Sequence, residues 1–254
     1  RDLPMIAFSA GDIVLVTGAS SGIGRATALL LNRLGATVLA SGRSRERLEA
    51  MRAECANPAC MHLEPLDLCA NLDGLPAWVS ELRARYGKLR GLAFCAGQTW
   101  NLPMSQFSAE AGRLAFDVCC LAPLLTARGF CDRRNCTGAG AAIVFVAAAA
   151  ACEPNPGQGA YGAAKAGLVC AARCLSKEVA PRKIRVNCVS PGLVATPMME
   201  ATVRELGDDF VRREEAAYPL GFGQPENVAD TVAFLLSDAA GWMTGQNLLL
   251  SGGR

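Results

Sequence analysis

The 254-residue chain contains one histidine, His62, and no two of its cysteines stand in a C-x-x-C spacing. A zinc centre built from paired Cys and His ligands is therefore not expected, and no metal site is assigned. Charge of one sign is also lacking: 25 Lys and Arg face 23 Asp and Glu, a formal net charge of +2. Nothing in that balance points to nucleic acid or a membrane surface. The one basic cluster, Arg43-Ser44-Arg45-Glu46-Arg47, is interrupted by an acid. No apolar run reaches the roughly 18–20 residues needed to cross a bilayer. The longest, Ala139 to Cys152, is mostly alanine. The N-terminus lacks the basic-then-apolar layout of a signal peptide, and a cytoplasmic protein is expected. Internal repeats, low-complexity linkers and a defensible domain boundary are missing too, so 1–254 reads as one domain.

Cysteine and apolar side chains are plentiful. The 12 cysteines fall inside apolar segments (Cys95, Cys119, Cys120, Cys170, Cys174, Cys188) as often as in loops. In a reducing compartment such thiols behave as small hydrophobes. Apolar β-type runs at 12–17, 36–41, 60–66, 89–95, 141–147, 183–190 and 246–250 alternate with helical patterns. The helical stretches are 22–34, 45–55, 71–86, 108–132, 158–180, 198–217 and 225–237. That alternation predicts an α/β fold with about seven parallel strands covered on both faces. Ligands of such sheets bind beyond the carboxyl ends of the strands.

The first of those ends carries Thr17-Gly18-Ala19-Ser20-Ser21-Gly22-Ile23-Gly24, between the run Ile13–Val16 and the helical stretch from Arg25. A chain turning this tightly leaves unpaired backbone N–H groups at the helix start, where an anion can sit. Gly18 is expected to permit the turn, Gly22 the close approach of a diphosphate, and Gly24 the packing of helix on strand. The spacing is G-x-x-x-G-x-G, with strand and helix on the correct sides. Dinucleotide binding is the expectation.

A second motif, Tyr161-Gly-Ala-Ala-Lys165, lies near the start of the 158–180 helix. Positions i and i+4 share a face one turn apart. A lysine ammonium beside a phenol favours phenolate by Coulomb attraction and is expected to lower the phenol's pKa from its reference of about 10. Such a tyrosine exchanges a proton with a substrate oxygen. Alone, the pair is better read as a solvated helix face.

With the glycine turn, this pair, Asp67 after the third strand, Ala96-Gly97 after the fourth, and Ser190-Pro191-Gly192 with Thr196 after the sixth, the chain resembles the short-chain dehydrogenase/reductase family. Thr244-Gly245-Gln246 and Ser251-Gly252-Gly253 extend the resemblance to nearly the whole length. It implies a Rossmann-type doubly wound sheet, a nicotinamide cofactor, a small-molecule substrate, and a homotetramer or homodimer. Carried over, Gly18, Ser20, Ser21, Gly22, Ile23 and Gly24 would hold the diphosphate and adenosine ribose, and Asp67 with Leu68 the adenine. Ala96 and Gly97 would pass under the cofactor. Lys165 would hold the nicotinamide ribose while tuning Tyr161, the catalytic acid or base. Pro191, Gly192, Val194 and Thr196 would fix the nicotinamide ring. The variable stretch 197–222, with Met198, Met199, Phe210 and Tyr218, would form a partly apolar substrate lid. Leu63 to Leu68 and Tyr218 to Gly221 are similar to bacterial members associated with surface-sugar modification, such as legionaminic-acid-type pathways. The alanines of the 158–180 helix would serve either subunit contact or internal packing.

NAD-selective Rossmann proteins place an acid at the end of the second strand. Here Leu39-Ala40-Ser41-Gly42-Arg43 has none. Gly42 takes the acid's place, and the Arg43 guanidinium suits a 2′-phosphate in charge and geometry. Ser41 or Ser44 would add a hydroxyl. NADP is expected over NAD, against a reading of Arg43 as a solvated helix-start residue.

The chain departs from the family where chemistry would occur. The family's serine, thirteen residues before the tyrosine, is Ala148. Its helical asparagine falls near Cys119, and its usual N-N-A-G reads Phe94-Cys95-Ala96-Gly97. Loss of one donor to a developing oxyanion costs about 2.7–4 kcal/mol, a hundred- to thousandfold in rate. Gln98, Thr99, Asn101, Asn155 and Gln158 are candidate replacements that spacing does not separate. Two readings follow: an NADP-dependent oxidoreductase of a carbonyl or secondary alcohol, with attenuated or unusual catalysis, or a non-catalytic NADP-binding sensor. Intact Tyr161 and Lys165 favour the first.

Overall fold

The computed structural model describes residues 6–254; of Glu205, Leu206, Asp208 and Phe210 it describes the backbone alone. Seven strands form one parallel sheet: β1 (Ile13–Thr17), β2 (Thr37–Gly42), β3 (Met61–Pro65), β4 (Leu89–Phe94), β5 (Ala142–Val146), β6 (Arg185–Pro191) and β7 (Asn247–Leu250). Their order is β3-β2-β1-β4-β5-β6-β7. Chain order therefore reverses between β1 and β4, and the crevice opens there, beyond the carboxyl ends. β1, β2, β5 and β6 are buried along their whole length. Burial on both faces is why they read as unbroken apolar runs.

The described residues form nine α-helices: α1 (Gly22–Arg33), α2 (Arg45–Ala53), α3 (Leu75–Tyr86), α4 (Ala109–Phe116), α5 (Ala122–Phe130), α6 (Gly159–Val179), α7 (Pro197–Leu206), α8 (Asp208–Ala217) and α9 (Pro225–Leu236). One core layer joins α3, α5 and α6 to one face through Val79, Phe130 and Leu168. The other joins α1, α2 and α9 to the opposite face through Leu31, Leu48 and Val232.

Three helical expectations are revised. The stretch expected from 71 begins at Leu75, where Pro76 sits in the first turn. The continuous helix expected over 108–132 is interrupted by a π turn at Asp117–Leu121. Pro123 explains it: proline has no N–H to give, and its ring opposes the carbonyl four residues back, that of Cys119. The ladder widens instead, and the Ala122 N–H bonds the Asp117 carbonyl five back. The helix expected over 198–217 breaks at Gly207, which adopts φ +80° and so separates α7 from α8. Among the described residues no helix is long and apolar enough to cross a membrane.

Candidate functional site

At the β1–α1 turn each glycine answers a steric demand. Gly18 has φ +68°, and a Cβ there would stand 2.8 Å from the Ala96 backbone nitrogen. It thus permits the turn and lets β4's exit pass close. A Cβ on Gly24 would stand 2.3 Å from the Gly18 carbonyl oxygen, so this glycine packs the helix against its own turn. Gly22 has φ +51° and faces Thr196, whose Cγ2 would lie 3.1 Å from an added Cβ. Ser21 is the N-cap of α1, yet its side chain caps nothing and the first turn carries no acid. The free N–H groups and the helix dipole are left for an anion.

This turn forms one wall of a cleft of about 330 Å³. Gly18, Ser20, Ser21, Gly22, Ile23, Gly24, Arg43, Asp67, Leu68, Ala96, Gly97 and Thr196 line it, as do Gly42, Cys95 and Gln98. Pro197 and Met198, at the start of α7, close it on one side. A shallower depression of about 600 Å³ beside β3, lined by Arg45, Arg52, His62 and Tyr86, contains none of the motif residues.

At the end of β2, a Cβ on Gly42 would approach Ser20 Oγ to 3.0 Å, so a larger residue would press on the glycine turn. Arg43 is exposed and forms no ion pair among the described residues. The two serines weighed beside it are otherwise placed. Ser41 is fully buried, and Ser44 caps α2 by accepting from the Arg47 N–H at 3.2 Å. Neither lines the cleft. Asp67 is held in place by the Cys69 N–H at 3.0 Å.

Tyr161, Lys165, Pro191, Gly192 and Val194 lie outside the lining of this cleft. Lys165 sits directly beyond it, since a Cβ on Gly97 would stand 3.5 Å from Lys165 Nζ. That ammonium donates to the Val146 carbonyl at 2.8 Å and lies 5.9 Å from the Tyr161 ring centroid. Burial lowers the Lys165 pKa. It also raises that of Tyr161, helped by the neighbouring Cys119. The expected lowering of the phenol's pKa is thus corrected: desolvation, and not attraction by the lysine, sets the direction, and the phenol keeps its proton. Burial pushes the thiols of Cys95 and Cys188 up to about 12, so around Lys165 they are neutral. Ala148, nearly buried, presents only a methyl group at the exit of β5.

The segment after β6 is braced by contacts not foreseen in the sequence. Tyr218, expected in a substrate pocket, is buried, and its hydroxyl accepts the Leu193 N–H at 3.0 Å. A Cβ on Gly192 would stand 2.8 Å from that hydroxyl. The Arg254 guanidinium pairs with Glu214 and donates to the Tyr218 hydroxyl at 3.4 Å and to Asn155 Oδ1 at 3.0 Å. Thr196 caps α7, accepting from the Met199 N–H at 3.3 Å. The Phe210 side chain lies outside the described residues. Of the other lid residues, Met198 reaches the cleft and Met199 does not line it.

Over residues 18–254 the chain matches the family model described as Enoyl-(Acyl carrier protein) reductase. It is a short-chain dehydrogenase/reductase. This short-chain dehydrogenase/reductase is 34% identical over 249 residues to the 3-oxoacyl-[acyl-carrier-protein] reductase FabG of Thermotoga maritima, covering 96% of this chain and 97% of that one. It is 33% identical over 245 residues to L-xylulose reductase of Mus musculus, covering 96% of each. A solved short-chain type dehydrogenase/reductase from Mycobacterium ulcerans superposes with TM-score 0.88 at 30% identity, covering 97% of this chain and 90% of that one. The chain is accordingly an oxidoreductase of the C=O/CH–OH class with a Rossmann-like sheet.

Proposed function

We propose that this protein is an NADPH-dependent reductase of a small carbonyl compound, with Tyr161 as proton donor. The observation that carries the reading is the continuity from the glycine turn to the phenol. The turn and Ser20-Ser21 face the same cleft as Ala96-Gly97, and Lys165 Nζ stands 3.5 Å beyond the missing Cβ of Gly97, beside Tyr161. A dinucleotide fits these residues. Its diphosphate would take the free N–H groups of α1, its adenine Asp67 and Leu68, and its 2′-phosphate Arg43. Lys165 and Tyr161 would address the nicotinamide ribose, and Pro191, Gly192, Val194 and Thr196 the nicotinamide ring. Bound there, the cofactor supplies a hydride to the carbonyl carbon.

The chain's own part is the proton. Tyr161 Oη, kept protonated by its burial, donates to the carbonyl oxygen as negative charge grows on it, and the Lys165 ammonium steadies the phenolate that remains. A protonated phenol is the form that gives this proton in the reducing direction. The lid is 197–222, with Met198 its cleft-facing residue. A homo-oligomer is supported by the exposed Trp242 and Leu249 beside the open edge of β7. The thiol-rich interior supports a cytoplasmic site.

The substrate is read from the relatives' names: a 3-oxoacyl thioester or a ketose. Of the stretches that resemble sugar-modifying members, Leu66 to Leu68 line the cleft and Tyr218 braces Leu193. NADPH consumption with acetoacetyl-CoA, L-xylulose and diacetyl tests the reading. Tyr161→Phe is expected to lower kcat by about 10²–10⁴-fold with a far smaller loss of NADPH affinity, because the contacts of Lys165 and of the glycine turn remain. The non-catalytic alternative rests on Ala148. Tight NADPH binding without turnover on all three probes would establish it and overturn the reductase.

A further inference from the structure

A reductase of this type needs a second donor to the substrate oxygen, because the phenol gives up its proton just as charge develops there. Ala148 offers none. Five polar residues on the loops after β4 and β5 are available, and the structure separates them. Asn155 and Gln158 accept through their side-chain oxygens, from Arg254 and from the Asn155 N–H, which leaves their amide donors free, but neither lines the cleft. Thr99 and Asn101 lie off the cleft. Of the five, Gln98 alone lines it.

Gln98 is also held by its backbone where such a donor is wanted. Its neighbour Gly97 covers the Lys165 ammonium. Its own carbonyl accepts from Cys119 Sγ at 3.4 Å. Cys119 is fully buried and packs in one cluster with Ala164 and Tyr161. The Cys119 bond thereby holds the loop against the cluster that includes the tyrosine, with Gly97 beside the lysine. Its side chain is exposed and makes no hydrogen bond to another described residue, so both amide protons are uncommitted. A glutamine amide reaches farther than a serine hydroxyl, which suits a loop set back from the β5 exit.

We infer that the Gln98 side-chain amide donates to the substrate's carbonyl oxygen in place of the missing hydroxyl, and that Cys119 is the positioning residue that holds Gln98 there. The π turn at Asp117–Leu121 belongs to the same device, because it carries Cys119. The inference rests on the reductase reading above. No covalent bond to Gln98 forms: hydride adds to carbon, the Tyr161 proton goes to oxygen, and the amide stabilises the charge between.

Gln98→Leu keeps the size and removes the donor. With acetoacetyl-CoA it is expected to lower kcat ~10²–10³-fold while NADPH affinity, read by fluorescence, stays within about twofold. By calorimetry, the NADP⁺-loaded variant should also bind the product 3-hydroxybutyryl-CoA more weakly than the parent does. Adding Ala148→Ser to Gln98→Leu should restore about tenfold or more, whereas Ala148→Ser alone should change kcat less than about threefold. Cys119→Ala should lower kcat and raise the acetoacetyl-CoA KM, and Cys119→Ser, which keeps a hydroxyl donor to the carbonyl, should recover both. A Gln98→Leu enzyme within about threefold of the parent, or the same loss appearing in Asn101→Ala instead, overturns the inference while leaving the reductase standing. Parent protein that binds NADPH and turns over no probe removes both.

Discussion

Gly24 and Ala148 both stand at the rim of the sheet, yet they meet different demands. At Gly24 the demand is on volume, for one added carbon would lie 2.3 Å from the Gly18 carbonyl oxygen. No other residue can relieve that collision, because the obstacle is backbone. At Ala148 the demand, in the reductase proposed above, is on a hydrogen bond, and any donor that reaches the same oxygen satisfies it. The nucleotide end is therefore built from backbone clearances that keep their sequence spacing. The reacting end is built from side chains, whose work can pass from one loop to another.

Substitutions sharpen that contrast. The largest effect is expected for Gly24→Ala. Alanine's better helix propensity favours the variant by about 0.8–1.0 kcal/mol, but a Cβ this close to a fixed carbonyl puts overpacking at or above about 3 kcal/mol, the upper end of its usual range, and should win. Urea unfolding should show the loss, and a variant as stable as the parent would show that the turn relaxes. Tyr218→Phe comes next, leaving the Leu193 N–H without its acceptor at a cost of about 2 kcal/mol. A lower Tm with a raised NADPH KM is the expected pair, and an unchanged KM would detach the brace from the cofactor segment. Arg43→Ser should weaken NADPH binding roughly tenfold, the small end of a charge-assisted contact at an exposed site, and leave NADH untouched. Equal losses for both would move Arg43 out of cofactor selection.

The smallest effect lies far from either end. His62 stacks on Tyr86 with ring centroids 4.7 Å apart. Its pKa is lowered from 6.5, first by burial and then by Arg52, against an opposing pull from Glu64. The unfolded chain therefore binds the proton more readily than the folded one. The stability owed to neutral His62 is complete above pH 6.5 and is drawn down as pH falls through that value. His62→Gln should flatten the stability–pH curve between neutral and mildly acidic pH, and an unaltered slope would discount its burial.

The strands were legible because parallel strands buried on both faces write uninterrupted apolar runs, as Ile13–Val16 and Ala142–Val146 do. The glycine turn was legible for the steric reasons given at Gly18 and Gly24. The helix breaks had visible signals in Pro123 and Gly207, outweighed by the periodicity on either side of them. The phenol's electrostatics were not legible, since i,i+4 spacing places Lys165 beside Tyr161 but does not reveal how far both are withdrawn from water. Nor were the Arg254–Glu214–Tyr218–Asn155 contacts, which join residues 36 to 99 positions apart. The same spacing shows why Gln98 did not stand out from its neighbours: only the cleft distinguishes it.

The π turn before Pro123 has a bearing on how this chain tolerates length changes. A π turn holds one residue more than an α turn, so deleting one residue from 117–121 would let the ladder close into regular α-helix with both flanks near their present faces, whereas inserting one would swing a flank by about 100°. An insertion would take Phe130 from the sheet or Ala115 from its buried seat on α4, while a deletion would spare both and displace Cys119 alone. Point substitution can rework the groups above the crevice, but the register that presents them does not admit the gain of a single residue there.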